Sequence, residues 1–182
     1  MKKTLDLIAA PTGMQPGDYV PRVYSDRDGP QTPSVSLEVE HSTRGWRFHV
    51  RWPCPKPVQD TGGQSNLFPD AVALVAPSVP EAQWVTMGAP GLAIGGFLWR
   101  ADREPLIRMR AEGFGTVQRS EAENVRQVTS EWNGGEWSLA FEVAGWKELD
   151  ETRRLAIAVW RGSARERAGL KSVSPGWIEV GT

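Results

Sequence analysis

The side chains able to do chemistry in this 182-residue chain are few, and their types exclude more than they offer. A single cysteine, Cys54, leaves no internal disulfide framework, no cysteine-rich zinc site and no iron–sulfur cluster held by this chain alone. A Cys-x-x-Cys-His haem attachment is excluded for the same reason. His41 and His49 stand eight apart in a segment that reads as strand, with no third ligand at metal spacing. Gly-x-Ser-x-Gly and Gly-x-x-x-x-Gly-Lys are absent, so there is neither a nucleophile elbow nor a phosphate loop. Glu38, Glu40, Glu131 and Glu142 offer carboxylates for glycoside hydrolysis, but solvent-facing acids are ordinary on strands. Two segments are less ordinary. One places Met87 in the Gly/Pro-bounded "VTMGAP"; the other places Lys171 in "GLKSVSPGW", one of five lysines in a chain with 16 arginines.

These residues must be positioned by β structure. Val35, Leu37 and Val39, then Trp46, Phe48, Val50 and Trp52, alternate with the period of two of a half-buried strand, and together they predict a hairpin. "DAVALVAP", the glycine-containing run from Ala93 to Trp99, and "LAIAVW" read as further strands. Asn133-Gly134-Gly135 between two alternating runs is the clearest hairpin signal. "SEAENVRQV" and "ARERAGL" are the best candidates for short helices. The sum predicts an all-β fold, an antiparallel β-sandwich with a few short helices. Residues 1–34, rich in Pro, Gly and Asp, predict an extended N-terminal arm of the kind that wraps a partner, ahead of a single domain over 35–182.

Bulk properties narrow the partners. Lys+Arg 21 against Asp+Glu 22 gives a net charge of -1, so no basic field draws nucleic acid. No apolar run approaches the roughly 18 residues of a membrane-spanning helix. Asp6 and Pro11 interrupt the opening apolar run, which therefore does not read as a cleavable signal. Nine tryptophans call for a large aromatic core, a stacking surface for sugars, or a flat aromatic cofactor.

The segments "DAVAL", "MG", "WRAD", "AVW", "G...ER.G" and "KSVS", in order between Asp70 and Trp177, resemble the haem b-binding gamma subunits of the type II dimethyl sulfoxide reductase family of molybdenum enzymes. Ethylbenzene dehydrogenase, dimethyl sulfide dehydrogenase, and selenate and chlorate reductases belong to that family. The resemblance implies a β-sandwich holding one non-covalent haem b, with a methionine sulfur and a lysine amine as axial ligands. Matched by motif, these are Met87 of "TMG" and Lys171 of "LKSVS". Such a lysine must bind as the neutral amine, and arginine cannot replace it because it stays protonated. Met109 and Lys147 are the fallback candidates, outside any matching motif. Trp84, Phe97, Trp99 and Trp160 are expected to wall the porphyrin, and Arg100, with Arg161 or Arg165, to pair with its propionates. Phe97 stands where the family often has Trp, Arg161 where it commonly has an acid, and "AIGG" is glycine-rich for the pattern.

The resemblance further implies a non-catalytic electron-transfer subunit in a heterotrimer. An iron–sulfur beta subunit and a molybdenum-cofactor alpha subunit would be its partners, with an external c-type cytochrome or similar carrier exchanging electrons. The expected location is the periplasm, reached by co-export with the alpha subunit, with the cytoplasm as the alternative. A competing reading is a carbohydrate-binding β-sandwich module that uses exposed tryptophans as sugar platforms.

Overall fold

The computed structural model describes residues 1–16 and 29–181. Two antiparallel sheets pack face to face. The five-stranded sheet runs β1 (Lys2–Asp6), β3 (Ser34–Ser42), β4 (Gly45–Pro53), β10 (Glu136–Val143), β9 (Val125–Asn133). The eight-stranded sheet runs β2 (Ile8–Ala9), β12 (Ser172–Val173), β11 (Arg154–Trp160), β5 (Ala71–Pro77), β6 (Ile94–Arg100), β7 (Arg103–Ala111), β8 (Gln118–Glu121), with β13 (Ile178–Glu179) also pairing β11. The all-β sandwich expected from alternation is what forms.

Local chemistry sets the hairpins. Asn133 pairs Glu136 across Gly134 and Gly135, whose φ values of 58° and 92° are the positive angles a two-residue primed turn requires. Between β3 and β4, Ser42 pairs Gly45. A Cβ on Gly45 would collide with the Val143 carbonyl oxygen, so only glycine fits there.

The two predicted helices do not form. "SEAENVRQV" is divided between β8 and β9, edge strands of the two different sheets, whose exposed polar residues weaken the period of two. "ARERAGL" follows the 3-10 turn Gly162–Ala164 and contributes only its first residue to it. The α-helix of the described residues is α1 (Lys147–Thr152), six residues long, too short to show a helical period and held by burial of Leu149. The described part of the N-terminal segment is stitched into the sandwich, β1 pairing β3 and β2 pairing β12, and makes a 3-10 turn at Thr12–Met14. Residues 17–28 of the expected arm lie outside the described residues.

The core between the sheets is aromatic. Trp46, Trp52, Trp99, Trp137 and Trp146 are all at most 3% exposed, and Trp52, Trp99 and Trp137 contact one another at ring-centroid distances of 5.0–6.2 Å. Burying each such ring contributes about 4–6 kcal/mol of transfer free energy. Five of the nine tryptophans are thus explained by the core.

A buried carboxyl group joins the two layers. Asp70, fully buried at the head of β5, accepts hydrogen bonds from Trp137 Nε1 (2.9 Å), the Val58 amide (2.8 Å) and Cys54 Sγ (3.3 Å) on one oxygen, and from the Gly162 amide (2.7 Å) on the other. Burial, and after it the neighbouring Asp70 carboxylate, push the Cys54 thiol up to about 12, so Cys54 is a buried donor rather than a nucleophile. Asp70→Ala would strand four donors. We expect it to cost about 3–5 kcal/mol in urea unfolding followed by tryptophan fluorescence; an unchanged midpoint would contradict the joining role.

Candidate cofactor site

The outer face of the eight-stranded sheet holds a cavity of about 260 Å³. Strand parity creates it. Val72, Leu74, Phe97, Trp99, Leu155, Ile157 and Val159 point into the core between the sheets, so their neighbours must point out. Those neighbours are small: Ala71, Ala73 and Val75 on β5, Ala156 and Ala158 on β11. Across the strands Ala73 lies opposite Ala158 and Leu98, and Val75 opposite Ala156 and Gly96. The result is a flat floor of short side chains. The volume is near the small end of ordinary ligand pockets, roughly 300–1,000 Å³, so a larger flat ring laid on this floor would keep an edge in solvent.

Met87 stands at one end of the floor. It closes a turn in the β5–β6 loop, its amide donating to the Trp84 carbonyl (3.0 Å) and its carbonyl accepting from Gly113 (2.9 Å). Its φ of 61° lies in the left-handed region that a methionine adopts only at a cost of about 1–2 kcal/mol. The side chain packs against Ala82, Ile94 and Ala111. Gly88 follows because a Cβ there would crowd the Leu92 carbonyl oxygen at 2.5 Å.

Lys171 stands at the other end. It precedes β12, where Ser172 pairs Val159, and its carbonyl accepts from the Ala10 amide (2.9 Å). Its Nζ sits 5.1 Å from the centroid of the Trp160 ring and pairs with no carboxylate among the described residues. Burial pushes the amine down to about 8, into a range where the neutral form is accessible. Trp160 is opposite Ala71 at the start of β5, whereas Ile94, beside Met87, is opposite Pro77 at its end. Thioether and amine therefore approach one floor from opposite ends.

Of the other predicted site residues, Trp84, Arg100 and Trp160 line the cavity, and Phe97 and Trp99 do not. Both are at most 2% exposed on the core side of β6, because Leu98 and Arg100 take the outward positions. Arg161 turns away to the Gln31 carbonyl (3.1 Å) and Ser163, and neither it nor Arg165 lines the cavity. Arg100 is clamped by Asp102 through two bonds of 2.9 and 2.7 Å. Met109 also lines the cavity; Lys147 is exposed on α1 beside Glu151 and does not. Sequence reasoning missed Arg119 and Arg167, two exposed guanidiniums on the cavity with no carboxylate partner among the described residues, the latter 4.8 Å over the Phe68 ring. It also missed the floor of short side chains, although Ala71 and Ala73 alternating in "AVAL" and Ala156 and Ala158 alternating in "LAIAV" were a readable signal.

The matched segments acquire physical reasons here. Gly162 of "G...ER.G" passes so close to the Phe68 carbonyl that a Cβ would overlap it, and Glu166 accepts from the Arg161 amide at 2.8 Å. In "KSVS", Ser172 Oγ accepts from Thr32 (2.9 Å) and Ser174 Oγ from Ile157 (3.2 Å), fixing the strand that follows Lys171.

No family model matches the chain. Over 177 residues it is 29% identical to a protein of Haloferax mediterranei named "Putative respiratory nitrate reductase heme subunit ORF7"; the match covers 87% of this chain and 62% of that protein. The chain thus spans less than two thirds of its relative's length.

Two stability measurements on the chain without haem test the two donor positions. Met87→Gly should be more stable than Met87→Ala by about 1 kcal/mol in urea unfolding, since both lose the side chain and only glycine relieves the positive φ; equal stabilities would remove the strain. For Lys171, the folded value of about 8 lies below the ordinary 10.5. The unfolded chain therefore binds more protons between those values, and stability must rise with pH across that window. Lys171→Met should exceed the wild type at pH 7 by about 1–3 kcal/mol, discounted for partial solvent access. That gap should close near the upper end of the window; a gap constant with pH would contradict the buried amine.

Proposed function

We propose that this chain is a haem-carrying electron-transfer subunit of a molybdenum-dependent reductase or dehydrogenase complex, holding one non-covalent haem b between Met87 and Lys171. One observation carries the reading: a thioether and a readily neutral amine, the latter with no carboxylate partner among the described residues, face a single cavity floored by short side chains. The residues fit the group. The floor is flat and apolar, Trp84 and Trp160 supply aromatic walls, and Arg119 and Arg167, without carboxylate partners among the described residues, supply cations for propionates, with Arg100 beside them.

When bound, the haem supplies a one-electron couple. Met87 contributes a soft, neutral sulfur donor that favours the reduced metal, and Lys171 a nitrogen donor once its proton has left. With Met87 and Lys171 both holding the group, no position would be left for substrate, and its role would be electron transfer rather than catalysis. Similarity to a protein named as a haem subunit of a nitrate reductase supports the coarse assignment. The gamma-subunit resemblance supports the finer one: a heterotrimer with iron–sulfur and molybdenum subunits, an external carrier, and a periplasmic location. No helix among the described residues is long and apolar enough to cross a membrane.

The sugar-binding alternative draws less support. None of the nine tryptophans stands fully exposed, and Trp132, Trp160 and Trp177 each commit the indole N–H to a main-chain carbonyl.

The test is a pyridine haemochrome assay with visible spectra. The purified chain should carry one haem b with a six-coordinate spectrum. Met87→Ala and Lys171→Ala should each convert it to a different spin state and weaken retention, and Met87→His should lower the potential. Unchanged spectra in both alanine variants, or a colourless chain that binds polysaccharide, would overturn the proposal.

A further inference from the structure

Near Lys171 the cavity is closed by a segment far away in sequence. After β2, Ala10, Pro11 and Gln15 line the cavity, and the segment is tied to the lysine loop at two points: the Ala10 amide donates to the Lys171 carbonyl, and Gln15 Nε2 donates to the Gly169 carbonyl (3.0 Å). Gln15 Nε2 also reaches the Pro11 carbonyl at 3.5 Å. Two carbonyl acceptors at one end of the amide fix its orientation, because Oε1 cannot donate to them. Oε1 is thereby left buried with no hydrogen-bond partner. A buried acceptor without a donor is costly and uncommon. Lys171 presents the complementary deficit, an amine lining the same cavity with no acceptor among the described residues.

An amine bound to a metal through its lone pair still carries two N–H bonds, and each needs an acceptor wherever water does not reach it. We infer that Gln15 is the positioning residue for Lys171, its Oε1 accepting an N–H of the metal-bound amine and so orienting the lysine for coordination. This rests on the haem reading above. Outer acceptors of this kind orient a ligand and raise its basicity, and their loss commonly weakens metal binding by about 10–100-fold.

Two variants of the full haem-loaded chain separate positioning from mere tethering. Gln15→Leu removes both amide functions; Gln15→Glu keeps an acceptor and removes the donor to Gly169. The readouts are the rate of haem transfer to excess apomyoglobin, the spin state, and the direction of change in reduction potential. Gln15→Leu should lose haem about 10–100-fold faster, with part of the population no longer six-coordinate. Gln15→Glu should keep the wild-type spin state with a lower potential, because a charged acceptor makes the amine a stronger donor. Equal loss in both variants would show that Gln15 only ties down Gly169, and wild-type behaviour in both would show that it does nothing for the ligand; either overturns the inference while leaving the haem reading intact. A wild-type chain that takes up no haem overturns both. Thermal unfolding of each variant without haem separates a folding defect from a ligand effect.

Discussion

One carboxyl group holds the arrangement together. Asp70 sits where β5 leaves its loop, and its two oxygens gather an indole from β10, an amide and a thiol from the chain after β4, and the amide of Gly162 after β11. Those donors come from both sheets. Satisfying them at one point fixes the start of the strand that floors the cavity and the turn from which the Lys171 loop departs. A hydrophobic core alone is tolerant of small shifts between its layers; a set of four directional bonds in a dry interior is not.

From that fixed frame the site follows by alternation. The cavity-facing positions in the middle of β5 and β11 carry Ala73, Val75, Ala156 and Ala158 while Val72, Leu74, Leu155, Ile157 and Val159 face the core, so the same strands that build the core leave a floor of short side chains on the reverse face. The two donor loops are held at opposite ends of it, one by a methionine kept at positive φ by hydrogen bonds on either side, the other by serines that anchor their hydroxyls to the main chain. Local strain at Met87 and a buried amine at Lys171 with no carboxylate partner among the described residues are both unfavourable for the chain by itself. Their coexistence in one cavity is the mark of a site shaped for something other than stability.

Much of this was legible in the residues. The Asn-Gly-Gly turn, the alternating runs, and the paired significance of Met87 and Lys171 all have local signals. Other features had none. "IGGFLWR" has large residues at both parities, so nothing in it says that Phe97 and Trp99 face the core while Leu98 and Arg100 face the cavity. Asp70 reads as one loop acid among many, because its donors lie 12 to 92 positions away. Arg161 was expected at the cavity and Arg167 was not, yet the fold turns the first toward Gln31 and sets the second over Phe68. The run before the Asn-Gly-Gly turn was legible as β9, but its first residues, Val125 to Val128, also suited a short helix, because at a sheet edge burial imposes no strict alternation. What sequence reasoning lacked in each case was which side of a strand faces which layer, a property of the assembled sheets.

The central claim is that sulfur from the β5–β6 loop and nitrogen from the loop before β12 share one metal. X-ray absorption at the iron edge of the haem-loaded chain addresses it directly, because sulfur and nitrogen scatter differently from the first coordination shell. The account predicts one sulfur and five nitrogens around the iron, with the sulfur contribution vanishing in Met87→Ala and persisting in Met109→Ala. A shell of nitrogen and oxygen alone, or a sulfur that survives the loss of Met87, would contradict it.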